Sequence, residues 1–568
     1  MNKIELGLSI CLLGTIIAGM KMTPAVQKLI PPQAYKIPKD VTVHHDTRID
    51  DYYWLKERDT QPVLDYLKAE NDYTFAKMKH TELLQKTLYN EMRGRIKEDD
   101  TTVPYKFGNY MYYTRTEENL QYDIYCRKLG NSSDNEEITL NMNEMAKKHD
   151  YIDLSAYKIS PNEKLLALTI DTSGAELHKL IVKDIKTGEI LDDHLSNLDG
   201  SVEWANDNKT LFYTVLDKAH RSYQLWRHEL GDEQSDDLLV LQEDDDRFSV
   251  GLHRTKSGEF LKMDLESQIT TEVYLLDRND PFGEWKLVQP REQGVEYYVY
   301  HHGNYLYQIT NKDAINFKMI RTTLKGGKED EIIPNRDKTT LDDVSMFKNH
   351  MAVLERIDGN LEIRLFNFED ESWYNIEMNE DIYSVTFEEN YDWNSDFFRF
   401  GYGSFKTPYC VYDIDFKTHK KTLRKKEEIL GGYESENYVS ERIWAPTHDG
   451  KKLAITLLYK KGIDLKGNNP CFLWGYGSYG ATYDPWFSSN IFSLVDRGMV
   501  YARAHIRGSS FMGRKWYLDG KLKQKKNTFE DFISAGRFLE NQGITSSGKL
   551  AIYGGSAGGL LIGAVMNM

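Results

Sequence analysis

The hydrophobic and polar positions follow three successive rhythms. After a linker from Pro31-Pro32 to Pro38, Val63, Leu67, Asn71, Phe75 and Met78 recur at helical spacing with charge between them. A second helical stretch runs through Leu83, Leu84 and Leu88, so residues 61–96 are predicted to be helices. From about Val103 the rhythm shortens to alternating strands, and seven times a small turn leads into an apolar strand. Gly108-Asn109, Asn162–Lys164, Asp207–Lys209, Ser257–Glu259, Gly303-Asn304, Lys348–His350 and Asn394–Asp396 are those turns. With Met111, Leu165, Leu211, Leu261, Leu306, Val353 and Phe398 as markers, the intervals are 54, 46, 50, 45, 47 and 45 residues. A unit of that length holds four short antiparallel strands, which predicts a seven-bladed β-propeller; an irregular all-β domain is the alternative.

Near Leu430 the rhythm changes again. Arg442–Ala445 and Leu453–Tyr459 flank the turn signal Asp449-Gly450. Apolar strands are then predicted at Cys471–Trp474, Met499–Ala504 and Leu550–Tyr553. Between the last two lies a helix with Phe529, Phe532, Ile533, Gly536 and Leu539 on one face. Thr528 is placed to cap it, Asp531 to complete a capping box and Gly543 to close it. Strands alternating with helices predict a doubly wound, mostly parallel sheet, the layer of an α/β-hydrolase.

With 568 residues, the chain exceeds what one core usually organises. Its 40% hydrophobic and 28% charged residues are those of a globular protein, and 37 Tyr among 12% aromatic residues lean toward β-structure. A net charge of −16 argues against a nucleic-acid partner, which needs a basic face. Cys11, Cys126, Cys410 and Cys471 are scattered, with neither a disulfide framework nor metal-ligand spacing, so no metal and no organic cofactor is expected. At the N-terminus, Lys3 precedes the apolar run Leu6 to Gly19, which has the length of a signal-peptide core and is short for a membrane span. Export is therefore expected, with an uncleaved N-terminal anchor or a cytoplasmic location as alternatives. No later segment has the length and apolarity of a membrane span.

The sharpest chemical signal is Gly554-Gly555-Ser556-Ala557-Gly558, between the predicted strand ending at Tyr553 and the helix-compatible run Leu560–Met566. Strand, G-x-S-x-G, then helix is the pattern of a nucleophile elbow, in which glycines permit a strained turn and close backbone approach. The serine then stands at a helix N-terminus, where the Ala557 backbone N–H can receive an oxyanion. A glycine turn that holds a phosphate would share the pattern. Gly475-Tyr476-Gly477-Ser478-Tyr479-Gly480 follows the Cys471–Trp474 strand, where a tyrosine hydroxyl could supply a second donor or simply pack in a glycine turn.

These segments, together with Asp50–Leu55, Arg507-Gly508, Trp516-Tyr517, Gly520-Lys521 and Lys525–Phe529, occur in the order seen in the prolyl oligopeptidase family. From about Ile37 onward the chain resembles that family, with its oligopeptidase B branch nearest. The resemblance implies a seven-bladed propeller inserted in an α/β-hydrolase domain whose N-terminal segment packs back on it. With the N-terminal run read as a signal peptide or anchor at 1–25, the expected division is a helical segment at 26–100, a propeller at 101–430 and an incomplete hydrolase domain at 431–568. The resemblance further implies Ser556 as nucleophile, Tyr476 and the Ala557 N–H as the oxyanion hole, and short peptides as the partners, with entry restricted by the propeller.

Two positions depart from the oligopeptidase B pattern. Asp484 matches one member of an acidic pair that helps hold basic substrate residues, but Trp486 stands at the second. The family's Arg-Gly-Gly-Gly-Glu stretch reads Arg507-Gly508-Ser509-Ser510-Phe511 here. Cleavage after Arg or Lys, after proline, or with broader preference is therefore open. Residues 557–568 contain no Asp, Glu or His, whereas this fold orders its triad as Ser, acid, His. His448 and His505 are the upstream histidines considered, and a strand-end structural role is the plainer reading of His505. Two expectations follow: the chain is part of an active serine oligopeptidase, or it is a truncated, inactive propeller protein. Either way an exposed sheet edge and poor solubility are expected of the chain as printed.

Overall fold

The computed structural model describes residues 29–130 and 136–568. The run assigned to a leader or anchor, with Cys11, lies outside the described residues. The chain falls into two compact units divided between Glu91 and Met92. The first holds a hairpin that the sequence reading missed, Lys39–Val43 against Asp46–Asp50, turned by His44 and His45 at positive φ. Helix α1 (Gln61–Met78) lies in this unit, and α2 (Glu82–Gly94) begins in it, as the helical rhythm predicts.

The second unit carries seven sequential antiparallel sheets, six of four strands and one of three among the described residues. They are the seven blades of a propeller. All seven markers lie on the second strand of a blade; Leu306, for example, is in Tyr305–Thr310, and Phe398 is in Phe397–Gly403. In blades two and three, for example, those strands bury residues on both faces, which is why they read as continuous runs. In blade two the fourth place is held only by a bridge between Lys183 and Ile190. The ring closes between blades seven and one, where Lys106 pairs with Asp392 at 2.9 Å and Arg399 donates to the Pro104 carbonyl at 2.7 Å.

Five strands form the sheet that follows: β1 (Tyr438–Pro446), β2 (Lys452–Lys460), β3 (Cys471–Trp474), β4 (Val500–Ala504) and β5 (Leu550–Tyr553). Their order is β1-β2-β4-β3-β5. The first two joins are antiparallel, and β3 runs parallel to both β4 and β5. Two helices are α3 (Lys526–Asn541) and α4 (Ala557–Asn567). Phe532, Ala535 and Leu539 of α3 pack with Leu457, Leu473 and Ala502 in one core. The outer edge of β5 is unpaired among the described residues, and Tyr553 is half exposed.

The capping expectation for α3 is corrected. The helix begins two residues before Thr528, whose hydroxyl donates to the Gly520 carbonyl, and Asp531 accepts from Arg507 instead of the helix start. Both side chains point inward, to a loop that local pattern could not place. Gly543 does close the helix region, at φ +75°. Cys126, Cys410 and Cys471 are free and buried. Among the described residues no helix is long and apolar enough to cross a membrane.

One buried ionic cluster in blade three generates a test. His228 Nδ1 lies 2.7 Å from Asp237 and Nε2 lies 3.3 Å from Asp193, with the ring fully buried. Both nitrogens face carboxylates, so both can donate only in the imidazolium. Burial opposes that charge, but Asp237 and then Asp193 more than offset it and raise the pKa above 6.5. The cluster's contribution to stability is thus complete below about pH 6.5 and is lost as pH rises through the folded-state pKa. Replacing His228 by Leu leaves two buried carboxylates without a cation, Asp237 keeping only the Tyr213 hydroxyl and Asp193 the Gly231 N–H as donors. The replacement is expected to cost about 3–5 kcal/mol by urea unfolding, with the difference from the parent shrinking above neutrality.

Candidate active site

The site is built where parallel strands β3 and β5 end side by side. Their register pairs Trp474 with Tyr553, and beyond it Gly475 N–H donates to the Tyr553 carbonyl at 3.1 Å. The Gly475–Gly480 loop and the Gly554–Gly558 turn therefore leave the sheet as neighbours. Ser556 sits at φ +53° and ψ −123°, a conformation costing about 1–3 kcal/mol for a residue with a Cβ, and occupies the N-cap position of α4. It is exposed.

Glycine is required at two points. A Cβ on Gly554 would stand 2.5 Å from the Gly558 carbonyl oxygen and 3.0 Å from that of Gly475. A Cβ on Gly475 would stand 2.5 Å from the Phe532 ring. The same closeness sets the Tyr476 ring 3.6 Å from where a Cβ on Gly558 would be, so Tyr476 lies against the start of α4. Gly558 N–H donates to the Gly555 carbonyl and Gly559 N–H to that of Ser556. Among the described residues no acceptor meets the Ala557 N–H, the first of the helix. Ser556, Ala557 and Tyr476 are thus brought together.

A buried guanidinium supports this arrangement. Arg507, wholly inaccessible, donates from Nε and Nη2 to Asp531 at 2.8 and 2.6 Å and from Nη1 to Asp449 at 2.8 Å. It ties the β1–β2 turn and α3 to its own loop. The next residue, Gly508, passes so close to Gly477 that a Cβ would lie 2.0 Å from the Gly477 carbonyl. Lys525 holds the other side, donating to Ser478 Oγ at 2.7 Å. Sequence reasoning missed this network. Its partners lie 24 and 58 residues from Arg507, and the only local signal was an Asp at a capping-box position.

Asp484 is placed differently from the expectation. Its carboxylate is taken bidentately by Arg356 of the propeller, at 2.7 and 3.0 Å, and is therefore not free for a substrate cation. Arg356 also reaches Asp342 at 3.4 Å, whose carboxyl burial pushes up to about 6 although Arg356 pulls the other way. Trp486 packs on the seventh blade, against Gly403 and the Tyr409 ring. Phe511 is sealed between His505, stacked at 3.7 Å, and the propeller turn at Gly359, where a Cβ would meet its ring at 2.4 Å.

Neither upstream histidine serves Ser556. His505 is buried, shares a 2.8 Å hydrogen bond with Thr456 Oγ1, and is kept neutral by burial and by the nearby Arg442, Arg503 and Arg356 charges. His448 lies 3.1 Å from Glu530. Among the described residues no cluster of metal-ligating side chains occurs.

Replacing Arg507 by Met strands Asp531 in the core. Urea unfolding is expected to show a loss of about 3–5 kcal/mol. An unchanged midpoint would mean that the network does not hold the loop.

Comparison with known proteins agrees with this architecture. Residues 32–427 match the family description "Prolyl oligopeptidase, N-terminal beta-propeller domain", and residues 485–568 match "Prolyl oligopeptidase family". Protease 2 of Moraxella lacunata is 34% identical over 547 residues, covering 94% of this chain and 79% of that protein. Dipeptidyl aminopeptidase BI of Pseudoxanthomonas mexicana is 36% identical over 587 residues, covering 99% and 80%. Among solved structures, oligopeptidase B from Leishmania major superposes with a TM-score of 0.90 at 32% identity, covering 95% of this chain and 80% of that one. Oligopeptidase B from Trypanosoma brucei, with covalently bound antipain in a closed form, also gives 0.90, at 33% identity and the same coverage. A propeller, a hydrolase sheet and a serine on a strained strand–helix turn, matched over nearly the whole chain, place this protein in the prolyl oligopeptidase family of serine peptidases.

Proposed function

We propose that the protein is a serine oligopeptidase that cleaves short peptides through an acyl-enzyme on Ser556. The observation that carries this reading is the strained Ser556 at the head of α4, beside an unengaged Ala557 N–H and the Tyr476 loop. In the first step the Ser556 Oγ–carbon bond forms as its proton leaves to a base. The carbonyl oxygen becomes an oxyanion that accepts from the Ala557 N–H and the Tyr476 hydroxyl. Collapse breaks the C–N bond as the amine takes up the proton, and water then releases the acyl group. Neither His505 nor His448 is that base, because both are committed elsewhere. The propeller, docked on the sheet through Arg356–Asp484 and Gly359–Phe511, would limit access to short chains.

Support for a preference for basic residues is weak in this chain. Asp484 is neutralised by Arg356, and Trp486 and Phe511 occupy positions where oligopeptidase B carries acids. Arginine and norleucine at the cleaved position are accordingly expected to give kcat/KM values within about tenfold of each other, a difference of at most about 1.4 kcal/mol. That is far below the discrimination of about 10⁴ that a site built to pair the guanidinium would give. A larger preference for arginine would show that Asp484 leaves Arg356 during turnover. The 36% identity to a protein named dipeptidyl aminopeptidase supports a second reading, removal of N-terminal dipeptides. N-acetylated peptides separate the two, since only an endopeptidase cleaves them.

The direct test treats protein purified from its native source with diisopropyl fluorophosphate and locates the adduct by mass spectrometry. Modification at Ser556, absent from Ser556→Ala, is expected of an activated nucleophile. The intact mass of the same sample is read first. A mass well above 66.1 kDa would put the base beyond Met568, whereas a mass at or just below it, with no adduct, would make the peptidase assignment one of ancestry.

A further inference from the structure

The propeller channel has two ends of different character. At one end, Asp342, Arg356, Gly359 and Glu296 meet the hydrolase sheet and its loops. At the other, the turns after the first strands of blades one to four and seven, with Ser345 of blade six, surround a cavity of about 780 Å³, within the usual range for ligand sites. Besides Lys158, which is paired with Glu203, three Lys or Arg side chains line this remote cavity: Arg254 and Lys256 on blade four and Arg278 after that blade's third strand.

None of the three has a carboxylate partner. Arg254 reaches from blade four to blade one, and its guanidinium lies 4.8 Å from the Phe107 ring centroid with no hydrogen bond among the described residues. Lys256 donates only to Ser345 Oγ at 3.1 Å and lies 3.0 Å from the Phe347 ring centroid. Arg278 donates to carbonyls, that of Trp204 at 2.7 Å and that of Gly258 at 3.5 Å. Burial lowers the Lys256 pKa to about 6, with Asp392 its only opposing charge, and lowers the Arg278 pKa to about 10, with Arg254 adding repulsion.

Of the cavity's four carboxylates, three are engaged with other groups, while Glu389 lies beside Glu388 without a cationic partner among the described residues. Glu203 pairs with Lys158 at 2.5 Å, and Glu163 accepts from the backbone and side chain of Asn109. On blade seven, Glu388 accepts from the Tyr409 hydroxyl, and burial, with Glu389 beside it, raises its pKa to about 7. Arg254 and Arg278, held by a ring and by neutral oxygens, raise the free energy of the empty site. An incoming oxyanion relieves that repulsion and draws a proton onto Lys256, which is mostly neutral near pH 7 when the site is empty.

We propose that the end of the propeller channel remote from the hydrolase sheet binds the carboxylates of short acidic peptides, through Arg254, Lys256 and Arg278. The peptide identity of the ligand rests on the peptidase reading; the oxyanion chemistry does not. The walls suit a peptide, since Tyr105, Tyr157 and Tyr391 line the same cavity. The protein's overall charge of −16 does not preclude this, because at ordinary ionic strength charges act over about 10 Å.

The test is calorimetric binding of triglutamate to the purified protein at about pH 7, with trilysine and inorganic phosphate as the other arms. It needs no turnover, so its failure is distinct from failure of the peptidase reading. Triglutamate is expected to bind at least about tenfold tighter than either, to weaken in the folded Arg254→Gln/Lys256→Gln variant by about tenfold or more, and to weaken with added salt. Acetic anhydride labelling of Lys256, followed by peptide mass, is expected to fall severalfold when triglutamate is present. No detectable triglutamate binding, binding unchanged in the double variant, or phosphate binding as tight as triglutamate would each overturn the proposal.

Discussion

The catalytic half of the molecule depends on one close approach, between the backbone that leaves β3 and the backbone that leaves β5. The Gly475 carbonyl lies where a Cβ on Gly554 or on Gly558 would have to go, at 3.0 Å from either. Parallel pairing of Trp474 with Tyr553 sets the register, and only glycine lets the two chains continue at that spacing. Because they do, the Tyr476 ring, a helix N-terminus and a serine in a strained conformation share one rim of the sheet. The strain at Ser556 is maintained by the packing of β5 and α4 around it.

Around that approach the protein uses buried charge to fix geometry. Arg507 joins three segments that are far apart in sequence, and its Gly508 neighbour lies against Gly477. Such a cluster adds little net stability over a well-packed apolar equivalent, but removing one member is costly, so it specifies one arrangement of the loop. Arg356 and Asp484 do the same between propeller and sheet. There the pair is flanked by Phe511 under Gly359 and Trp486 under Gly403, which make the junction apolar as well as ionic.

This junction changes what the departures from oligopeptidase B mean. Trp486 and Phe511 are docking residues for the propeller, and Asp484 is the ionic part of the same contact. Asp484, the one charged member of the three, is turned to holding two domains together. At the channel's remote end, by contrast, Arg254, Lys256 and Arg278 have no ion-pair partner, although Glu163, Glu203, Glu388 and Glu389 line the same cavity.

Much of the fold was legible in the sequence because it depends on local periodicity. A turn followed by an apolar strand every 45 to 54 residues marked the second strand of each blade, since that strand is buried on both faces and must read as a continuous run. The bounds of β3 and β5, the glycine elbow and the closing Gly543 were readable for the same reason: each is set by its own backbone. What the sequence could not decide were contacts between residues far apart in it. Thr528 and Asp531 satisfy every local rule for a helix cap, yet they serve Gly520 and Arg507, because burying a guanidinium demands carboxylates wherever in the chain they occur. Asp484 reads as a free acid until Arg356, 128 residues earlier, is brought against it. Local pattern set which elements form; only tertiary packing decided which charges meet, since the free energy of a charge depends on what surrounds it in space.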